Sequence, residues 1–243
     1  MNQLKHKQEF ERILQDYSLP KGVSRLLKGM RLVLLVGPTA AGRNTIIDLL
    51  VASGGFVYIV SDTTREPRLN NGIMEKNGEA YWFRKEDDFL SELKKGEFLE
   101  AEVIHSQQVS GISIRELKKA HDTDKIAITD VDIKGFTNVT NRKPDTIGIY
   151  ILPPNFDVWL ERIVGRNHLP EKEIISRLET GLRIFDSAKQ SRARIVINDK
   201  LSKTVELVDK IAHGQEPKDT KDAEALVNDL MRKTIEYLEQ HKS

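Results

Sequence analysis

The chain has 243 residues with 38 basic and 37 acidic side chains, a net charge of +1 and a mean hydropathy of −0.44. This charge balance argues against a general binder of polyanions such as nucleic acid, and the absence of cysteine excludes disulfides, thiolate nucleophiles and cysteine-based metal sites. The N-terminus lacks the apolar core of a signal peptide and no apolar run reaches the roughly 18 residues that cross a bilayer, so we expect a cytoplasmic protein that does not bind membranes.

The first 30 residues predict two short amphipathic helices. Apolar side chains recur at helical spacing on both sides of "SLPKG" (18–22): Phe10, Ile13, Leu14 and Tyr17 before it, and Val23, Leu26, Leu27 and Met30 after it. Each set gives a helix one apolar face. We therefore expect residues 1–30 to form a helical N-terminal extension.

Five apolar runs from residue 32 onward predict β-strands, at 32–36, 56–60, 126–129, 147–152 and 195–197. The runs are nearly continuous rather than alternating, which is typical of strands buried on both faces of a parallel sheet. Helical patterns lie between them. The expected fold class is therefore α/β, with a parallel core sheet between layers of helices.

The stretch "VLLVGPTAAGRNTIIDLL" (33–50) predicts a strand, a glycine-rich turn and a helix. It nearly matches the phosphate-binding loop G-x-x-x-x-G-K-[ST], in which backbone N–H groups and a helix N-terminus surround a phosphate. An ordinary strand-to-helix turn is the alternative. The residues predicted to bind nucleotide phosphates are Gly37, Pro38, Thr39, Ala40, Ala41, Gly42, Arg43, Asn44 and Thr45.

Two positions of this loop depart from the motif. Arg43 stands where the lysine is expected, and Asn44 stands where the hydroxyl residue is expected. Arginine keeps the positive charge and can bind phosphate through two N–H groups, but its planar fork reaches differently from an ammonium. Asn44 offers a carbonyl oxygen, which is a weaker ligand for Mg²⁺, and Thr45 comes one position late.

A second motif gives the family resemblance. "SDTTREPR" (61–68) and Glu75 to Phe83, "EKNGEAYWF", match the patterns Ser-x-Thr-Thr-Arg-x-Pro-Arg and Glu-x-Asn-Gly-x-x-Tyr-x-Phe of the guanylate kinase family. Further stretches follow in the family's order: "GEFLE", "TDVDIKG", "ILPP", "LERIVGR", "SRL" and "IVIND". The chain resembles that family over about residues 31–212, although "LNNGIM" (69–74) makes the second motif longer than expected.

The resemblance implies a three-layer P-loop kinase fold that transfers a phosphoryl group from ATP to GMP, giving ADP and GDP. The GMP-binding part would span about residues 61–113. Its implied GMP-binding residues are Ser61, Arg65, Arg68, Tyr81, Glu100, Ser113 and Asp132. Two carboxylates suit guanine, which presents N–H donors at N1 and N2. The family's Tyr-Gly-[Ser/Thr] is here "VSGIS" (109–113), so the tyrosine is absent and Ser110 competes with Ser113 for guanine.

The resemblance also implies a helical lid at about 165–178 and a donor site. The implied catalytic residues are Arg43, Arg162, Arg166 and Arg177. Asn198 would lie on the adenine side, and Asn44 and Asp130 would ligate the Mg²⁺ that accompanies ATP. Two plain alternatives stay open: the lid arginines form a solvated helical face, and Asp130 is an ordinary residue at a strand end.

The C-terminal region, 213–243, predicts a linker and then a helix. The linker is "HGQEPKDTKD" (213–222), and the apolar positions of the helix are Ala223, Leu226, Val227, Leu230, Thr234 and Tyr237. So short a helix needs a surface to pack on. The options are docking on the core, a homodimer, or a loosely ordered tail.

Two other functions stay open beside the kinase. One is a kinase-like binding or scaffold module that has lost turnover, which the altered loop favours. The other is a related kinase that acts on a different phosphorylated acceptor.

Overall fold

The structure is a computed structural model and describes residues 3–20, 22–70, 72–104, 106–165, 169–215 and 223–241. Its strands are β1 (Leu32–Val36), β2 (Phe56–Tyr58), β3 (Asp62–Thr63), β4 (Leu69–Asn70), β5 (Ile73–Met74), β6 (Trp82–Phe83), β7 (Phe98–Ile104), β8 (Gln108–Ser113), β9 (Ile126–Asp130), β10 (Ile147–Leu152) and β11 (Arg194–Ile197). Its helices are α1 (Lys7–Gln15), α2 (Val23–Lys28), α3 (Arg43–Ala52), α4 (Glu86–Lys94), α5 (Ile114–His121), α6 (Ile133–Arg142), α7 (Phe156–Val164), α8 (Glu171–Gln190), α9 (Leu201–Ala212) and α10 (Ala223–His241).

The chain divides into two compact units, each built from separate stretches of sequence. Unit 1 comprises residues 1–32, 55–129 and 134–146. Unit 2 comprises residues 33–54, 130–133 and 147–243. The predicted phosphate loop and donor side belong to unit 2, and the predicted GMP-binding part belongs to unit 1.

Parallel strands form the centre of unit 2. Strand β10 pairs in parallel with β1 on one side and β11 on the other. All five residues of β1 are buried, as its unbroken apolar run predicts. Helix α9 packs on β10, on β11 and on α3, so α3 is held directly after the loop that follows β1.

Helix α10 packs within unit 2, against α8 and α7. Its buried residues are Val227, Leu230, Thr234 and Leu238. The ring of Tyr237 lies 5.8 Å from the ring of Phe156 on α7, and Lys189 Nζ on α8 donates a hydrogen bond of 3.0 Å to Asn228 Oδ1. The apolar face of this helix is therefore covered by the same chain.

Unit 1 combines the parallel pair of β2 with β9 and a four-stranded sheet in the order β6-β3-β8-β7, in which β3 also pairs in parallel with β6. Strands β7 and β8 form its long antiparallel pair. Strands β4 and β5 pair separately as a hairpin, on which Leu69, Ile73 and Met74 are exposed. The sequence did not predict strands β3 to β8. Strands β3 to β6 have only two residues each and give no measurable periodicity, and in β7 and β8 glutamate, glutamine, serine and glycine interrupt the apolar run.

Helix α1 packs on α4 and β7 in unit 1. Phe10 is fully buried there, 6.0 Å from the ring of Phe89 in an edge-to-face arrangement. The hydroxyl of Tyr17 donates to the carbonyl of Phe98 at 2.8 Å and accepts from its N–H at 3.1 Å. The N-terminal stripe is therefore part of the core of unit 1.

The structure confirms the predicted α/β class with parallel strands. One predicted strand is shorter than expected: β2 ends at Tyr58 rather than at residue 60, because the N–H of Val60 bonds a side chain, Glu116 Oε2, at 3.2 Å. None of the helices in the described ranges combines the length and the apolar character that a membrane crossing requires.

Candidate nucleotide sites

The loop from Gly37 to Gly42 connects β1 to α3 in unit 2. Ala40 and Gly42 both have positive φ, at 65° and 93°. The left-handed conformation costs a non-glycine residue about 1–2 kcal/mol, so Ala40 stores backbone strain in this loop. Helix α3 begins at Arg43, and its N-cap residue Gly42 has no side chain to accept from the first turn. Such a helix start attracts anions.

Asn198 fastens the loop from the end of β11. Its Nδ2 donates a hydrogen bond of 2.8 Å to the carbonyl of Ala41, and its own N–H bonds the carbonyl of Leu152 at 2.7 Å. A Cβ on Gly42 would collide with Nδ2 of Asn198. Glycine is therefore required at position 42 both for its positive φ and for this close approach.

Trp159 on α7 supports the other end of the loop. Its indole Nε1 donates a hydrogen bond of 2.9 Å to the carbonyl of Thr39, and the residue is fully buried. A Cβ on Gly181 of α8 would lie 2.7 Å from Cζ2 of the indole and closer still to Cη2. The glycine in α8 therefore makes room for the ring that holds the loop.

A cavity of about 440 Å³ opens beside the loop. It is lined by Ala40, Gly42, Thr45, Arg162, Gly165, Asn198, Asp199 and Leu201. Both terminal nitrogens of Arg162 approach the carbonyl of Asn198, at 3.2 and 3.3 Å, so this arginine forms part of the cavity wall. A cavity of this size suits a small-molecule ligand.

Arg43 turns toward the end of β9. Its Nη1 lies 3.0 Å from Asp130 Oδ2 and 3.5 Å from the carbonyl of Val131. The predicted metal ligands are therefore a carboxylate that a guanidinium already engages and an exposed amide, Asn44. Within the described ranges no three acidic, histidine or cysteine side chains come together to hold a metal. This donor set does not fit a cation held by the protein.

The lid arginines differ in what they contact. Arg177 pairs with Glu173 one turn earlier on α8, at 3.0 Å. Arg162 belongs to the cavity wall, as described above. Arg166 lies outside the residues that the structure describes, as do residues 167 and 168 of the predicted lid and residues 216–222 of the predicted linker.

On the acceptor side, in unit 1, Arg65 is held in one orientation. Its Nη1 and Nη2 donate to the two carboxylate oxygens of Glu75 at 2.6 and 2.9 Å. The guanidinium carbon lies 4.6 Å from the ring centre of Tyr81 and 5.5 Å from that of Phe83. The hydrogen bonds from Arg65 lower the pKa of Glu75, so this carboxylate stays ionised at neutral pH.

Arg68 and Ser61 lie near the same loop. Arg68 is exposed, and its backbone N–H donates to Glu75 Oε2 at 3.0 Å. Glu75 therefore ties both predicted phosphate-binding arginines to one carboxylate. The carbonyl of Ser61 accepts from the N–H of Trp82 at 2.9 Å, which joins the start of the motif to its second half.

The remaining predicted GMP residues divide between the units. Glu100 on β7 and Ser113 at the end of β8 are buried in unit 1. The Ser113 hydroxyl has no hydrogen-bond partner among the described residues, whereas Ser110 Oγ lies 2.8 Å from Thr63 Oγ1. Asp132 follows β9 in unit 2 and is exposed. A buried hydroxyl without a partner is costly, so Ser113 suits a polar ligand better than Ser110 does.

Sequence reasoning gave no role to two acidic residues of this region. Glu75 stood within the quoted motif, and its spacing from Arg65 was the available signal. Asp62 is fully buried between Arg84, at 2.6 Å, and Arg115, at 3.0 Å. Asp62 lies next to Ser61 in the motif, and a single aspartate at that position of the sequence does not indicate that its side chain is buried.

Comparisons with known proteins agree on one family. The family model "Guanylate kinase" matches residues 29–215. The guanylate kinase of Corynebacterium diphtheriae is 33% identical over 187 residues, which cover 76% of this chain and 95% of that protein. The guanylate kinase of Thermotoga maritima is 30% identical over 205 residues, covering 82% of this chain and 94% of that protein.

A solved structure supports the fold. The crystal structure of guanylate kinase from Anaplasma phagocytophilum matches with a TM-score of 0.58 and 20% sequence identity. The match covers 80% of this chain and 88% of that chain. At this identity the likeness shows the fold alone.

Proposed function

The chain belongs to the guanylate kinase family, and from that premise we propose that it is a nucleoside monophosphate kinase that transfers the γ-phosphoryl group of ATP to GMP, giving ADP and GDP. The observation that carries the proposal is Arg65, whose guanidinium is fixed by Glu75 and by two aromatic rings in a motif that binds the acceptor phosphate. A guanidinium already held in place binds a dianionic phosphate at less entropic cost.

The acceptor side reads guanine through carboxylates. Glu100 and Asp132 accept hydrogen bonds from guanine N1 and N2, and the Ser113 hydroxyl donates to O6. Support comes from the burial of Glu100 and from the partnerless hydroxyl of Ser113. Adenine has no 2-amino group and an unprotonated N1, so it offers no N–H donor at the two positions where these carboxylates would accept from guanine. Tyr81, Arg65, Arg68 and Ser61 bind the phosphate.

The donor side binds ATP through the loop from Gly37 to Thr45. The backbone N–H groups of the loop and the start of α3 surround the phosphates, and Arg43 supplies positive charge. The cavity beside the loop, with Asn198 and Arg162 in its wall, accepts the nucleoside part. Asn198 also fixes the loop through the carbonyl of Ala41, so one residue serves both parts of the donor site.

Catalysis rests on positioning and electrostatic stabilisation, because phosphoryl transfer needs no covalent intermediate with the protein. Arg43, Arg162 and the lid arginines Arg166 and Arg177 neutralise the charge that spreads over the phosphoryl oxygens. The lid spans about residues 165–178. Mg²⁺ enters with ATP, and no step proposed here passes through a cation held by Asn44 or Asp130.

The same proposal includes the organisation of the chain. Residues 31–212 carry the kinase, residues 1–30 form a helical N-terminal extension, and residues 213–243 form a linker and a C-terminal helix. Among the described residues, α1 packs in unit 1 and α10 packs in unit 2. We place the protein in the cytoplasm. A homodimer through α10 is the less favoured arrangement, because the buried face of that helix already packs on α7 and α8.

The test is a coupled assay of ADP release from ATP and Mg²⁺ with GMP, dGMP, AMP or UMP as the acceptor. GMP should be used well over tenfold better than AMP, since each hydrogen bond to a carboxylate that guanine makes and adenine does not is worth on the order of 1.5–3 kcal/mol. Absence of ADP with every acceptor would identify a binding module instead. Equal use of GMP and AMP would contradict the proposal that the protein recognises guanine.

A matched pair of variants tests whether Glu100 recognises guanine. Glu100→Gln should reduce kcat/KM for GMP at least tenfold, because an amide presents a donor where guanine also presents donors. Glu97→Gln, three residues earlier and exposed, is the control and should behave like the unchanged protein. Arg65→Ala should raise the Kd for GMP without changing the Kd for ATP.

A further inference from the structure

Arg43 and Asp130 form a partly buried ion pair in unit 2. Their side chains are 20% and 23% exposed, and Nη1 lies 3.0 Å from Oδ2. Attraction between opposite charges at this distance is several-fold stronger near a protein than in bulk water. The pair therefore defines where the guanidinium stands relative to the loop.

Two polar contacts of the guanidinium lie at one of its nitrogens. Nη1 makes the 3.0 Å contact with Asp130 Oδ2 and the 3.5 Å contact with the carbonyl of Val131. The Nη2 and Nε donors make no hydrogen bond to residues in the described ranges. An arginine can thus be held at one nitrogen and still present a two-donor edge to a phosphate, which the single nitrogen of a lysine cannot do.

The carboxylate of Asp130 is engaged by the same ion pair. Arg43 is its partner in the part of the chain that the structure describes, and the neighbouring candidate ligand, Asn44, is exposed on the first turn of α3. Mg²⁺ prefers several oxygen ligands in a near-octahedral arrangement, and a carboxylate neutralised by a guanidinium attracts a cation poorly.

We propose that Asp130 is a positioning residue that holds Arg43 against the donor phosphates, so that the arginine takes the charge-neutralising role that a protein-ligated cation would otherwise have. This inference rests on the proposed function only in assuming that ATP and ADP bind at the loop. It assigns Asp130 a different role from the metal ligand predicted by resemblance.

The test is calorimetric titration of ADP into the full-length protein, in EDTA and separately in excess Mg²⁺. Four proteins are compared: the unchanged chain, Asp130→Asn, Arg43→Ala and the double variant. In EDTA, Asp130→Asn should raise the Kd for ADP at least fivefold. In the Arg43→Ala background the same change should alter that Kd less than twofold, because the residue that Asp130 positions is gone.

Two other results would overturn the inference. If Asp130 ligates the cation, Asp130→Asn will leave the Kd in EDTA unchanged and weaken binding only in Mg²⁺, with or without Arg43. If Asp130 only cancels the charge of Arg43, Asp130→Asn will tighten binding in EDTA. If the unchanged protein binds ADP in neither buffer, the proposed function is overturned together with this inference. That result differs from the two above, in which the unchanged protein does bind ADP.

Three controls separate positioning from folding and from net charge. Asp48 is an exposed residue on α3, about one turn beyond Arg43. Asp48→Asn removes the same charge and should leave the Kd for ADP unchanged. The melting temperature of each variant without nucleotide shows whether it is folded. Asp130→Glu keeps the charge with a longer side chain, and should restore at least part of the metal-free affinity that Asp130→Asn loses.

Discussion

The indole Nε1 of Trp159 donates a hydrogen bond of 2.9 Å to the carbonyl oxygen of Thr39, so a buried ring in α7 holds the phosphate loop. The ring is itself packed edge-to-face on Phe185, at 5.1 Å, and fits against Gly181. The shape of the loop therefore depends on helices far along the chain as well as on its own glycines.

Trp159→Phe keeps most of the apolar volume and removes the N–H donor. We expect the free energy of unfolding to fall by about 1–3 kcal/mol, because the carbonyl of Thr39 loses its hydrogen-bond donor and the smaller ring fills less of the core. The Kd for ATP should rise severalfold, with that for GMP unchanged. The control is Trp82→Phe in unit 1, because the Nε1 of Trp82 has no hydrogen-bond partner among the described residues. Equal loss of ATP affinity in both variants would contradict this account.

Gly181→Ala adds one methyl group where α8 meets Trp159. In an open helix this change is stabilising by up to about 1 kcal/mol. Here we expect destabilisation of about 1–3 kcal/mol, because the new Cβ overlaps the indole and the packed core must shift. Chemical denaturation measures the difference. Gly55→Ala, where a Cβ meets nothing within 4 Å, provides the comparison. A gain in stability for Gly181→Ala would show that the ring moves freely.

The sequence predicted the positions of secondary-structure elements better than the contacts between side chains. The unbroken apolar runs located β1 and β10 to the residue, since a strand that is fully or mostly buried leaves a local pattern. The contact of Asn198 with Gly42 could not be predicted, because it depends on how distant stretches of the chain fold together. The direction in which Arg43 turns is likewise decided by Asp130, which no local spacing connects to it.

The ion pair of Glu75 with Arg65 predicts a pH dependence of stability. The pKa of Glu75 is lowered in the folded protein, chiefly by its hydrogen bonds from Arg65. Its contribution is therefore fully present above the unfolded pKa of about 4.3 and is lost as the pH falls through the lower folded pKa. Glu75→Gln should cost on the order of 1–3 kcal/mol at pH 7, and this difference should shrink toward acid pH.

Denaturant unfolding of both proteins between pH 7 and pH 3 measures this dependence. The exposed pair of Lys76 with Glu79, at 3.4 Å, offers a control in the same loop, and Glu79→Gln should change stability little at any pH. A Glu75→Gln difference that stays constant with pH would mean that the carboxylate contributes through packing alone.

Leu230→Ala tests the docking of α10. Leu230 is fully buried, whereas Ile235 on the same helix is 43% exposed. We expect Leu230→Ala to cost about 2–5 kcal/mol and Ile235→Ala to cost much less, since only the first leaves a cavity. Melting temperature and solution mass are measured together. A change of mass with Ile235→Ala would show that the exposed side of the helix joins two copies of the chain.

The division of the chain into interleaved units has a consequence for synthesis on the ribosome. Unit 1 is complete once residue 146 has been made, but the phosphate loop, made much earlier, depends on Trp159, Gly181 and Asn198. At typical translation rates the segment from residue 147 onward takes roughly 5–20 s. During that interval the apolar strand β1 and helix α3 have been translated without the partners that later cover them. Chaperone dependence of this kinase should therefore be set by how long β1 and α3 wait for the second half of the chain. Ribosome-bound chains stopped when residue 146 has just left the ribosome should be the ones most readily cut by protease near residues 33–54.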